Sequence, residues 1–139
     1  MATIAGNFIN ASPIGDFTIF SLALDAQLTL AIPADGTGMK PVSERKIPLR
    51  SFYKGYKQLD KKPEEVITHI SFELPVKHSY FNFEKVSKRT HLDIASVNTA
   101  ICLQLKSGTI EKAGISAGGV EPVPPLTHPV RTEFCFGFR

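Results

Sequence analysis

Apolar residues change their spacing several times along this chain, and each change marks an element. Behind Asp16, residues Phe17, Ile19, Phe20, Ala23 and Leu24 recur at three- and four-residue intervals, which predicts a short helix with one side on a core. The Asp16 carboxylate is placed to cap the first-turn N–H groups, an interaction worth about 1 kcal/mol. Residues 27–32 alternate and are rich in β-formers, which predicts a strand ended by Pro33 and the ADGTG run. From Arg50 to Leu59 the spacing of Phe52, Tyr56 and Leu59 is helical, and Pro63 keeps the helix from running on. Glu65 to Leu74 reads as a strand with Val66, Thr68, Ile70, Phe72 and Leu74 on the more apolar face and His69 on the other. Phe81 to Ser87 alternates as well. Lys85 shares the side of Phe81 and Phe83, so its ammonium must leave the apolar layer or meet a partner. Residues 94–105 and 109–117, joined by Lys106-Ser107-Gly108, read as a β-hairpin. After Gly118 and Gly119, which permit a sharp turn, the PVPPLTHPV tail is extended and unsuited to helix or central strand.

Ahead of the first helix lies TIAGNFINASPIGD, which reads as a short strand, TIAG, running into a polar loop of small residues. Gly6 lets backbone approach a ligand closely or take a positive φ. The loop N–H groups, the hydroxyls of Thr3 and Ser12 and the amides of Asn7 and Asn10 are enough donors to hold a diphosphate. The same residues are the ordinary composition of a surface turn, so the residues alone leave both readings open. Between the first strand and Arg50, prolines 41 and 48 among charged residues mark a crossover between subdomains. The expected division is 1–45 and 46–139, with the boundary near residue 45.

Composition narrows the function classes. With 139 residues, 42% of them hydrophobic, the chain can bury one modest core, as one domain or two small ones. Its richest apolar run, 17–34, is interrupted by Asp25 and Gln27, so no membrane span is expected, and MATIAGN lacks the character of a signal peptide. Two distant cysteines, Cys102 and Cys135, exclude a dense disulfide framework or a four-cysteine metal site and fit the cytoplasm. The net charge is +3, with basic residues gathered in 40–62; this reads as a solvated face rather than a nucleic-acid groove, although Phe52, Tyr53 and Tyr56 interleave with it. His69, His78, His91 and His128 lack zinc-motif spacing, there is no nucleophile elbow, and no CxxC holds an iron–sulfur cluster. Glu64 and Glu65, adjacent in an extended segment, point to opposite faces. No catalytic or metal constellation emerges; the chain reads as a binding domain.

The order TIAGNFINASPIGD, FTIFSLALDA, QLTLAIP resembles the second flavin-binding motif in the FAD subunit of molybdenum hydroxylases, the xanthine dehydrogenase and carbon monoxide dehydrogenase flavoprotein family. FYKGYKQLDKKPEEVITHISFELP and FNFEKVSKRTHLDIASVNTAICLQLKSGTIEKAGISAGGVEPVP are similar to the same family in the same order, so the resemblance covers roughly residues 2–124. It implies an α+β fold: part of a flavin-binding subdomain, then an antiparallel sheet with few helices, similar to the C-terminal domain of those flavoproteins. It implies FAD as cofactor, with Thr3, Ile4, Ala5 and Gly6 approaching the pyrophosphate and Asn7, Asn10 and Asp16 lining the ribityl or ring region. Val66 and Ile67 would flank the isoalloxazine, and Lys85 would stand near its pyrimidine end. The implied role is to pass electrons from an iron–sulfur partner to NAD or another acceptor, in a homo- or hetero-oligomer with iron–sulfur and molybdopterin subunits or domains. Ala5 stands where the family usually has Gly. The family's first glycine-rich phosphate loop and its final helices have no counterpart in this sequence, so weak FAD binding is expected. A module that docks on partner chains through open sheet edges, without FAD, is the alternative.

Overall fold

A computed structural model of the chain describes residues 3–34, 41–91 and 93–120, with the backbone of residues 126–127. Helices α1 (Ile4–Asn10) and α2 (Asp16–Ala23) lead into strands β1 (Gln27–Ile32) and β2 (Ser43–Pro48). One helical turn, α3 (Leu49–Phe52), is followed by β3 (Tyr53–Gly55), β4 (Gln58–Leu59) and β5 (Val66–Ser71). Then come β6 (Ser79–Ser87), β7 (Ala95–Lys106), β8 (Thr109–Gly118) and the short β9 (Leu126–Thr127). The strands form a three-stranded sheet in the order β2-β1-β5, the small β3-β4 pair, and a four-stranded sheet in the order β6-β7-β8-β9, and all their pairings are antiparallel. This is the α+β architecture that the resemblance implies. No helix among the described residues is long and apolar enough to cross a membrane.

Helix α2 lies on the second sheet with its other side in the first core, because it is apolar on two sides. Thr18 and Leu22, one turn apart, turn to the first core, while Ile19 and Ala23 turn to the second. The first core gathers Phe8, Leu22, Leu28, Leu30, Leu49, Phe52 and Tyr53. Full burial of a side chain such as Phe8 or Phe52 is worth about 1.5–3 kcal/mol. In the second core Ile19, Ala23 and Ala100 are packed by Phe81 and Phe83, which meet Phe20 edge-on at ring separations of 4.8 and 6.3 Å. The helix lies close to β8: Ser116 Oγ donates to the Ile19 carbonyl at 2.6 Å, and a Cβ on Gly114 would stand 2.2 Å from the Ala23 carbonyl oxygen.

Four local expectations change. The TIAG segment is helical, not a strand: Thr3 caps α1 by accepting from the Gly6 N–H at 3.0 Å, and Phe8 is drawn into the core. Asp16 is the first residue of α2 rather than its cap; Gly15 occupies the cap position without a side-chain bond. Helical spacing from Arg50 to Leu59 yields only one turn, because Phe52 and Tyr53 are both buried and Lys57 takes φ 58°, closing a tight β3–β4 turn. Strand β5 covers Val66–Ser71, and its face pattern is reset by an irregularity opposite Thr29 and Leu30, where Thr68 is the extra residue. That bulge lets Ile67 and Ile70 pack on the same core. The β7–β8 hairpin forms as expected, through Ser107 and Gly108 at φ 51° and 81°. Residue 45 lies inside β2, paired to Leu30 of β1. The proline-rich tail lies outside the described residues apart from the backbone of β9, which pairs with β8.

Gly114→Ala is expected to force α2 away from β8 and to cost about 1–3 kcal/mol. Urea unfolding measures it; a loss under about 0.5 kcal/mol would contradict the close approach.

Candidate functional site

The N-terminal turn of α1 is exposed, and the N–H groups of Ile4 and Ala5, as its first helical residues, have no acceptor within the helix. Thr3 spends its hydroxyl on the Gly6 N–H and its carbonyl on the Asn7 N–H. Gly6 therefore serves the cap with helical backbone, since a Cβ there would stand 3.0 Å from Thr3 Oγ1. One turn on, Asn7 Oδ1 accepts from the Thr18 hydroxyl at 3.3 Å and would lie 3.0 Å from a Cβ on Gly15. Asn7 thus ties α1 to the start of α2. The hydroxyls of Thr18 and buried Tyr53 lie 3.3 Å apart, and Tyr53 Oη donates to the Phe8 carbonyl. Burial pushes the Tyr53 phenol up to about 12, with the neighbouring Thr18 hydroxyl acting in the opposite direction.

At the first turn of α2 both oxygens of the Asp16 carboxylate are engaged. Its Oδ2 accepts from Lys85 Nζ at 2.7 Å and its Oδ1 from Asn98 Nδ2 at 2.7 Å. Lys85 meets the partner that its position beside Phe81 and Phe83 called for. Its side chain and that of Asp16 are about one-third exposed, so the pair stays within reach of solvent and ligand. Asn98, on β7, is wholly buried; Nδ2 also donates to the Ile14 carbonyl at 3.2 Å, and Oδ1 has no hydrogen-bond partner among the described residues. Sequence reasoning missed Asn98. The available signal was a polar residue in phase with Ala100 on the inward side of an alternating strand.

The remaining expected residues, Asn10, Val66 and Ile67, have surroundings of their own. Asn10, at the end of α1, accepts from Lys57 Nζ through its backbone carbonyl and, at 3.3 Å, through Oδ1. Val66 is exposed on β5, while Ile67, its strand neighbour, turns to the first core. The start of β5 is fixed by Glu65, which accepts from Arg45 Nε at 2.7 Å and Nη2 at 2.9 Å and from the Lys62 N–H at 2.8 Å. Arg45 also donates to the Asp60 carbonyl at 2.8 Å, which holds the 60–65 loop to β2. The Arg45 bonds hold the Glu65 carboxyl at about 2, against the upward push of burial.

Thr3, Ile4, Ala5 and Gly6 thus form one helix start, Asn7 joins it to Thr18 in the first turn of α2, and Asp16 at the head of that turn joins Lys85 from the second sheet. Two clefts lie elsewhere, about 80 and 310 Å³ in volume, near Leu24, Asp25, Glu73 and Lys112. None of the ten expected residues lines either one.

The family model described as FAD binding domain in molybdopterin dehydrogenase matches residues 1–76, and that for the CO dehydrogenase flavoprotein C-terminal domain matches residues 82–133. A nicotinate hydroxylase of Emericella nidulans is 31% identical over 132 residues, covering 91% of this chain and 9% of its own length. A xanthine dehydrogenase/oxidase of Rattus norvegicus is 32% identical over 117 residues, covering 84% of this chain and 8% of its own. Among solved structures, a carbon monoxide dehydrogenase from Hydrogenophaga pseudoflava superposes with a TM-score of 0.79 at 21% identity, over 96% of this chain and 45% of that one. The reconstituted CO dehydrogenase from Oligotropha carboxidovorans gives a TM-score of 0.74 at 26% identity, over 91% of this chain and 41% of that one. The chain therefore spans under half of the solved relatives' chains and about a tenth of the curated ones.

Because the Glu65 carboxyl lies below its ordinary 4.5 in the folded chain, the stabilisation is fully present above about pH 4.5 and lost as pH falls through about 2. Glu65→Gln is expected to flatten the fall of Tm across that window. Equal slopes in the two proteins would contradict the assignment.

Proposed function

Because the chain belongs to the family of FAD-binding domains in molybdopterin dehydrogenases, whose cofactor is FAD, we propose that it supplies one side of a flavin site in an oxidoreductase of that kind. The observation that carries the proposal is the polar strip itself. An exposed helix start, whose Ile4 and Ala5 amides have no acceptor within the helix, and an accessible lysine lie on segments that Asn7 and Asp16 tie together.

The donor set fits the cofactor in kind. Thr3 and the Ile4 and Ala5 amides would face the diphosphate, because helix-start N–H groups favour anions, and Gly6, whose own N–H is given to Thr3 Oγ1, would leave the approach open. Asn7 and Asp16 would stand beside the ribityl chain, with Asn10 at the far end of α1. Val66 would lie against the ring and Ile67 would back it from the core. When bound, FAD supplies the electron-transfer chemistry; the protein supplies position and charge. Lys85 would place a cation at the pyrimidine end of the ring, where it favours the form carrying more negative charge. The strip is open, so this side alone grips a long flexible ligand weakly. Segments that the relatives possess in addition would supply the opposing side.

In the assembled enzyme the flavin would take electrons from an iron–sulfur partner, in company with a molybdopterin subunit or domain, and pass them to NAD or another acceptor. A soluble cytoplasmic oligomer suits that role. A second reading, a module that docks on partner chains without FAD, is favoured by Tyr80, Val86 and Val97, apolar or aromatic and exposed on the second sheet.

Titrating the chain into FAD and following flavin fluorescence tests the first reading. Saturable quenching is expected, with Lys85→Met weakening it about tenfold, the value of one charge-assisted contact. Unchanged fluorescence at high micromolar protein would refute cofactor binding by this chain and leave the docking module.

A further inference from the structure

Three segments distant in sequence converge behind the Asp16–Lys85 pair. Asn98 reaches from β7 to the Ile14 carbonyl at 3.2 Å and to Asp16 Oδ1 at 2.7 Å. The end of β8 closes over it. A Cβ on Gly118 would stand 2.1 Å from Asn98 Oδ1 and 2.8 Å from the Pro13 carbonyl oxygen, so only glycine leaves room for the amide there. Gly119, at φ 85°, donates its N–H to the same Pro13 carbonyl at 3.3 Å. The turn before α2 is thereby pinned to the second sheet at the point where Lys85 arrives.

We propose that Asn98 is the positioning residue of the flavin site: it fixes the Asp16 carboxylate, and through Asp16 it fixes where the Lys85 ammonium stands. The inference rests on the flavin reading above and adds a residue to it. Its physical basis is twofold. A lysine side chain loses much rotamer freedom when held, so a ligand that finds the ammonium already oriented avoids that cost at binding. A carboxylate anchored from behind by a wholly buried amide cannot swing away with the lysine, whereas an unanchored surface pair is loose and contributes little. Asn98 is shut off from solvent; it acts through Asp16.

The test is a double-mutant cycle read in FAD affinity, with Asn98→Ala, Lys85→Met and the double variant. Asn98→Ala is expected to weaken FAD binding about tenfold when Lys85 is present and no more than about twofold when it is absent, since residues acting as one unit are not additive. Equal losses in both backgrounds would show a merely structural role and overturn the proposal. Asn98→Thr, which suits a strand, runs the same cycle should Asn98→Ala fail to fold.

A second readout needs no flavin: a resolved lysine-ammonium ¹H–¹⁵N signal for Lys85 in the wild-type chain, lost in the Asn98 variant. Absence of that signal in the wild type overturns the proposal by itself. A wild-type chain that holds Lys85 yet leaves FAD free would refute the flavin reading while the Asn98 anchor stands.

Discussion

The close seating of α2 on the second sheet, with its other side in the first core, is the constraint from which the rest follows. Its Thr18 and Leu22 side belongs to the core under β1, and its Ile19 and Ala23 side belongs to β7 and β8. Bare backbone at Gly114 and the Ser116 bond to the Ile19 carbonyl bring the helix nearer the second sheet than side chains of ordinary size would allow. A helix held on both sides has a fixed start as well as a fixed axis. Asp16 at that start therefore meets Lys85 and Asn98 from the second sheet, while Asn7 of α1 meets Thr18 one turn on.

The stretch 3–16 does two jobs with the same atoms. Thr3 and Gly6 close a helix cap, and Phe8 anchors that helix in the core, yet the amides before Gly6 remain on the surface. Small residues here are therefore not spare loop. They let α1 begin in the open and let Gly15 pass close to Asn7. The polar groups lie on an exposed strip rather than in either cleft, so a ligand using them is gripped from one side.

Much of this was legible in the sequence. Strand β1, the alternation of β6 and the β7–β8 hairpin follow from period-two patterning and from Ser107-Gly108, because their partners lie nearby and agree with local preference. The family could be read from three ordered blocks, and the lysine that shared a side with two phenylalanines did find a carboxylate. The misses have physical causes. Helix α1 is set by the Thr3 cap and the burial of Phe8, neither of which is visible in a four-residue pattern. Residues 53–59 turn back because Lys57 adopts a positive φ that its side chain does not announce. The extra residue at Thr68 exchanges the faces of β5, so alternation misassigned Ile67. Asn98 was hidden because its partners, Ile14 and Asp16, lie more than eighty residues away.

Backbone amide shifts of the ¹⁵N-labelled chain, mapped as FAD is added, show where the flavin lies on the protein. The largest changes are expected on Ile4, Ala5, Asn7 and Asp16, with Lys85 and Asn98 moving in the same titration. Changes gathered instead around Leu24, Glu73 and Lys112, the residues of the clefts, would contradict that placement.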